Sequence, residues 1–140
     1  MPVRKAKAGW NGDLKGGNGL ISFGGKFEQP YSFSSRFEEG SGTNPEELIG
    51  AALAGCFSMA LSGSLAKAGA TPRRIQTDAD VTVEKVGEGF KITRIDLRTQ
   101  ADVSGLDQAK FLEIAEATKK GCPVSQALTG TQINLDAKLG

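Results

Sequence analysis

The chain has 140 residues, 39% of them hydrophobic and 24% charged, with a net charge of +1 and no histidine. This balance suits one folded domain, residues 1–140, and its scattered Lys and Arg offer no electrostatic footprint for nucleic acid or an anionic membrane. The missing imidazole excludes Ser-His-Asp and Cys-His nucleophile pairs, imidazole general bases and histidine-built zinc sites.

The N-terminal forty residues read as β structure. Val3 to Ala8 alternates at period two, Trp10-Asn11-Gly12-Asp13 offers a turn, and glycine clusters at 16–19 and 24–25 bracket a strand over Leu20–Phe23. No Gly-Lys-Ser/Thr follows those glycines, so they are loops rather than a phosphate cradle. The pattern predicts a third strand over Tyr31–Phe37, with Tyr31, Phe33, Ser35 and Phe37 on one face and Arg36 on the other. On such a strand Arg36 has a plain reading as a solvated cation. The absence of an apolar stretch after the basic N-terminus predicts no secretory signal.

A helix starts at Thr43-Asn44-Pro45-Glu46-Glu47, with Asn44 or Thr43 as cap, Pro45 in the first helical position and two acids on the positive end of the dipole. Glu46 is, on these terms, an ordinary first-turn acid. The helix is expected to reach about Ala68 and stop at Gly69, with Pro72 beyond. Gly50, Gly55 and Gly63 inside it each cost roughly 1 kcal/mol against alanine, which predicts a buried central helix packed closely against a neighbour. Its apolar run, Leu48–Leu61, is too short for a membrane span.

Alternation over Ile75–Val83, a turn at Gly87-Glu88-Gly89 and a return over Phe90–Val103 predict a hairpin. The apolar phase slips between Ile92 and Ile95, which places a bulge near Thr93-Arg94. A second helix follows over about Asp107–Lys120, with Phe111, Ile114, Ala115 and Thr118 on one face. A short helix over Pro123–Leu128 and a last strand over Thr131–Leu139 complete the chain.

The two cysteines stand apart from this pattern. Cys56 lies inside the small-residue apolar run, and Cys122 sits between the helix stop Lys119-Lys120-Gly121 and Pro123. Free cysteines most often behave as small buried hydrophobes. In a reducing cytosol, where the chain is placed by composition, a stable structural disulfide is not expected, and two cysteines are too few for structural zinc. The alternative is a peroxidatic and a resolving thiol. Without imidazole, the activating group would have to be arginine, lysine or a helix dipole.

The run from Tyr31 through Arg36, Asn44-Pro45-Glu46-Glu47-Leu48 and Cys56 to Ala60 resembles the OsmC branch of the OsmC/Ohr family, osmotically inducible thiol peroxidases of bacteria. Gly121-Cys122-Pro123-Val124-Ser125 is similar to that family's second cysteine motif, and the likeness extends from Trp10 to the last strand. Arg36 before Phe37 fits the OsmC branch; the Ohr branch carries its arginine in an earlier Gly-Arg segment, absent here. The resemblance implies an α+β fold of antiparallel sheets wrapped around two central helices in an intertwined homodimer, with no metal or organic cofactor. It implies reduction of hydroperoxides, organic ones preferred, at the expense of an external thiol or dithiol. By position it makes Cys56 peroxidatic, Cys122 resolving, Arg36 the activating cation and Glu46 its carboxylate partner. Two other readings use the same residues: a redox sensor in which the disulfide alters a partner, and a non-catalytic binder of apolar molecules.

Overall fold

The computed structural model describes residues 2–140. They form two compact units, one ending at Leu48 and the other running from Ile49 to Gly140.

The first unit holds β1 (Ala6–Asn11), β2 (Asn18–Phe23) and β3 (Phe27–Tyr31), an antiparallel sheet in the order β1-β2-β3. Trp10 sits across β2 from Tyr31, the two ring centroids 5.2 Å apart, and its indole Nε1 donates to the Asp13 carbonyl at 3.1 Å. The strand expected over Tyr31–Phe37 is instead the end of β3 followed by a one-turn helix, α1 (Phe33–Phe37). Ser32 and Ser35 form a reciprocal capping box: the Ser35 N–H donates to Ser32 Oγ at 3.1 Å, and the Ser32 N–H donates to Ser35 Oγ at 2.8 Å. Phe33 and Phe37, which alternate as strand residues would, are also four apart. They meet on one helix face with centroids 5.1 Å apart.

Helix α2 (Pro45–Lys67) crosses the boundary between the units. Asn44 Oδ1 accepts from the Glu47 N–H at 2.8 Å, as the cap reading expects. At the far end Gly69 takes φ +86°, and the N–H groups of Gly69 and Ala70 reach back to the Ala66 and Leu65 carbonyls, a Schellman ending. Helix α2 spans 23 residues and contains an 18-residue window of mean hydropathy 1.7, long and apolar enough to cross a membrane, which the shorter run Leu48–Leu61 is not.

In the second unit β4 (Pro72–Val86) and β5 (Gly89–Val103) form a long antiparallel hairpin. Its register shifts where Thr82 pairs with Arg94 and Val83 with Ile92, so Thr93 is the extra residue of the expected bulge. Helices α3 (Gln108–Gly121) and α4 (Pro123–Ala127) then lead to β6 (Gln132–Leu139). Strand β6 runs parallel to β5, giving the order β4-β5-β6 in a mixed sheet, whereas the resemblance implies antiparallel sheets. The α3–α4 crossover carries the chain back to the end of the sheet at which β5 began, which is what a parallel neighbour requires. Asp107 caps α3 by accepting from the Lys110 N–H at 2.8 Å.

The core of this unit is a stripe on α2 laid against the sheet and α3. Leu53, Phe57, Leu61 and Leu65, each four residues from the next, are wholly buried with Ile95, Leu97, Phe111 and Ala115. Hydroxyls tie the layers together: Ser58 to Thr77 at 2.7 Å, and Thr77 to Thr99 at 2.8 Å. A Cβ at Gly50 would lie 3.0 Å from Val81 Cγ2, so one of the three helix glycines marks the expected close approach. Gly55 and Gly63 face open space, and Met59 is 82% exposed, so α2 is buried along one side only.

Phe57→Ala is expected to remove about 3–5 kcal/mol of stability, read from the denaturant midpoint. A loss below about 1 kcal/mol would place Phe57 outside a packed core.

Candidate functional site

In the second unit, α2 delivers Cys56 and the α3–α4 junction delivers Cys122. Both cysteines are free; Cys122 is buried and Cys56 half-buried. Cys56 immediately precedes the anchored Phe57, and the helix there is further fixed through Ser58. Cys122 closes one helix and opens the next: its N–H donates to the Thr118 carbonyl at 3.0 Å, and its Sγ accepts from the Ser125 N–H at 3.4 Å. The Ser125 hydroxyl lies 3.2 Å from the same sulfur. Pro123, in the first position of α4, lacks the N–H that would have no helical partner there.

The two thiols lie close enough to influence each other's ionisation, and their surroundings push them in opposite directions. Burial pushes the Cys56 thiol up; the Val124 N–H opposes this, and the neighbouring Cys122 adds to it. Burial pushes Cys122 up as well, but the Ser125 hydroxyl, the Ser125 N–H, Cys56 and the Val124 N–H outweigh it and hold Cys122 below the ordinary thiol range. The predicted cysteine pair is therefore brought together. Among its own neighbours, however, the expected nucleophile, Cys56, is the less acidic thiol.

In the first unit, Arg36 and Glu46 form an ion pair. The guanidinium Nε and Nη2 both donate to one carboxylate oxygen, Glu46 Oε1, at 2.9 and 2.7 Å. Glu46 Oε2 is buried and has no hydrogen-bond partner among the described residues. Arg36 comes from helix α1, not from the strand face expected for it, and its guanidinium stands 5.2 Å from the centre of the Phe37 ring. The geometry follows from how α1 is lashed to the start of α2. Ser35 Oγ donates to the Thr43 carbonyl at 2.7 Å, and Asn44 Nδ2 donates to the Ser35 carbonyl at 3.0 Å. Gly42, at φ +106°, turns the chain so that the Thr43 N–H meets the Pro30 carbonyl at 2.9 Å. Glu47, by contrast, serves the helix start: its carboxylate accepts from Thr43 Oγ1 at 2.6 Å.

Sequence reasoning missed Phe37 as support for Arg36, and Ser125 and the Val124 N–H as partners of the sulfurs. Ser125 carries a readable signal, standing three residues after a potential cap and two after a proline. The Val124 N–H carries none, being backbone. The described residues contain no cluster of His, Cys, Asp or Glu able to hold a metal ion.

Residues 38–138 match the family described as OsmC-like protein. The chain is 51% identical over 138 residues to the Peroxiredoxin OsmC of Escherichia coli, covering 97% of this chain and 96% of that one. Its fold is similar to the crystal structure of an OsmC like protein from Mycoplasma pneumoniae, with a TM-score of 0.77, 15% identity and coverage of 99% and 97% of the two chains. It is also similar to the organic hydroperoxide resistance protein OhrB of Bacillus subtilis, with a TM-score of 0.72, 25% identity and coverage of 97% and 98%. The family match across most of the chain, together with the near full-length identity, establishes that this protein belongs to the OsmC family.

Proposed function

We propose that this chain is a thiol-dependent peroxidase that reduces hydroperoxides, organic ones in preference, to alcohols in a reducing cytoplasm. The observation that carries the reading is the placing of two free thiols, one half-buried and one buried, in one cluster where each influences the other's ionisation, in a chain with no imidazole. Relatives named as a peroxiredoxin and as an organic hydroperoxide resistance protein support it. The reading treats residues 1–140 as one working domain, since the family match spans the boundary at Leu48.

The Cys56 thiolate attacks one peroxide oxygen, the O–O bond breaks, and the alcohol leaves with a proton. Cys56 becomes a sulfenic acid. Cys122 condenses with it, releasing water and forming a Cys56–Cys122 disulfide. An external dithiol then gives up two electrons by exchange and restores both thiols. Burial and Cys122 oppose formation of the first thiolate, so a cation is needed beside Cys56. Arg36 fills this role: it stays charged when desolvated, and its planar fork can also donate to a peroxide oxygen. Glu46 holds it through one oxygen.

The pair and the nucleophile meet across a homodimer. Glu46 and Cys56 are ten residues apart on α2, about 15 Å of helical rise, too far for comfortable assembly within one chain. The exposed side of α2, with Gly55, Gly63 and an 82% exposed Met59, supplies an apolar surface for a second copy. A two-fold interface would bring Arg36 and Glu46 of one chain to Cys56 of the other.

Cys56→Ser is expected to abolish peroxide consumption. Cys122→Ser should consume about one equivalent and then stall as the unresolved sulfenic acid over-oxidises. Equal loss of the first turnover in both variants, followed by peroxide titration, reverses the assignment.

Arg36→Ala should raise the Cys56 pKa, so that less thiolate is present at neutral pH and alkali partly restores the rate. Attack should slow by about 10²–10³-fold, the usual effect of losing one preorganised donor. Lysine at this position should rescue only part of it. A thiolate absorbance titration unmoved by the alanine returns Arg36 to the solvent.

Mixed dimers of a Cys56→Ser chain with a Glu46→Ala chain should regain one working site each. Confirmed mixed dimers that remain as inactive as the parents would mean that the carboxylate acts within its own chain.

A further inference from the structure

The geometry points to Ser125 as a positioning residue for the second half of the cycle: its hydroxyl and backbone N–H hold the Cys122 sulfur as the stabilised thiolate, so the reductant attacks Cys56 and Cys122 leaves. This rests on the peroxidase reading above, and it concerns a residue that the four expected site positions do not include.

Ser125 is itself buried, 7% exposed, with its hydroxyl 3.2 Å and its N–H 3.4 Å from Cys122 Sγ. A hydroxyl this close to a thiolate donates to it, and with the N–H the sulfur receives two hydrogen bonds from one residue. The rigid turn of α4 places both donors, since Cys122 and Ser125 stand as cap and third residue of that helix. The low Cys122 pKa agrees with this arrangement, burial being outweighed chiefly by the Ser125 hydroxyl and N–H. Cys56 is the titratable group touching Cys122, while Lys67 of α2 and Glu113 of α3 line the groove of about 400 Å³ that Cys122 borders.

Two steps use this stabilised sulfur. In resolution, the Cys122 thiolate attacks the Cys56 sulfenic sulfur; the S–S bond forms, the S–O bond breaks, and the departing hydroxide takes up a proton as water. In reduction, a thiolate of an external dithiol attacks Cys56 Sγ, and the S–S electron pair moves onto Cys122. The second thiolate of the reductant then attacks its own mixed-disulfide sulfur and frees Cys56, so the dithiol is oxidised by two electrons. Exchange is faster when the leaving thiol has the lower pKa, which favours Cys122 as leaving group.

The test compares the full-length chain with Ser125→Ala and Ser125→Thr by rapid mixing with cumene hydroperoxide, then with a monothiol that traps the mixed disulfide for mass spectrometry. In Ser125→Ala the first oxidation of Cys56 should keep its rate. Disulfide formation at neutral pH should slow about fivefold, the worth of one hydrogen bond, and its pH profile should move to higher pH. Threonine, which keeps the hydroxyl, should restore most of the rate, and the trapped adduct should sit on Cys56. An unmoved pH profile, an equal slowing of the first oxidation, or an adduct on Cys122 would overturn the proposal. An unsubstituted chain that forms no Cys56–Cys122 disulfide overturns the peroxidase reading, and this proposal with it.

Discussion

The burial of Leu53, Phe57, Leu61 and Leu65 along one side of α2 is the constraint on which the rest of the second unit depends. Each buried side chain of this kind contributes a few kcal/mol. Four in line fix the rotation of the helix about its axis. Cys56, one residue before Phe57, therefore has its direction set by the apolar packing of its own helix. The α3–α4 junction is held to the same core through Phe111, Ala115 and Cys122, which brings the second sulfur to the first.

The electrostatics follow from that packing. A thiol in an apolar core resists ionisation, and two adjacent thiols resist ionising together. In this chain the conflict is resolved in favour of Cys122, which has hydrogen-bond donors in Ser125 and Val124, while Cys56 has the Val124 N–H alone to set against burial and its neighbour. In the first unit the Arg36–Glu46 pair is a fork clamped to one carboxylate oxygen, with the other oxygen buried and without a hydrogen-bond partner among the described residues.

The other side of α2 makes sense on the same terms. A helix that buries one stripe and leaves Gly55, Met59 and Gly63 uncovered has small and apolar residues where a surface helix would carry charge. Small residues allow a second helix to come close.

The sequence by itself determined what local chemistry determines. The Asn44-Pro45 start, the Gly69 stop, the Asp107 cap, the Gly87 turn and the bulge at Thr93 all rest on hydrogen bonds or backbone angles spanning a few residues, and each is found where expected. The two cysteines, and Arg36 and Glu46 as a pair, were legible from their motifs. Residues 31–37 were misread because Phe33 and Phe37 satisfy a strand's period of two and a helix's spacing of four equally well; the Ser32–Ser35 capping box, a tertiary-supported contact, decides for the helix. Only the tertiary structure settled that β6 lies parallel to β5, since alternation along a strand says nothing of its neighbour's direction. It alone also decided which thiol is the more acidic, because a pKa reports burial and donors brought together from Cys56 on one helix and residues 122–125 at the meeting of two others.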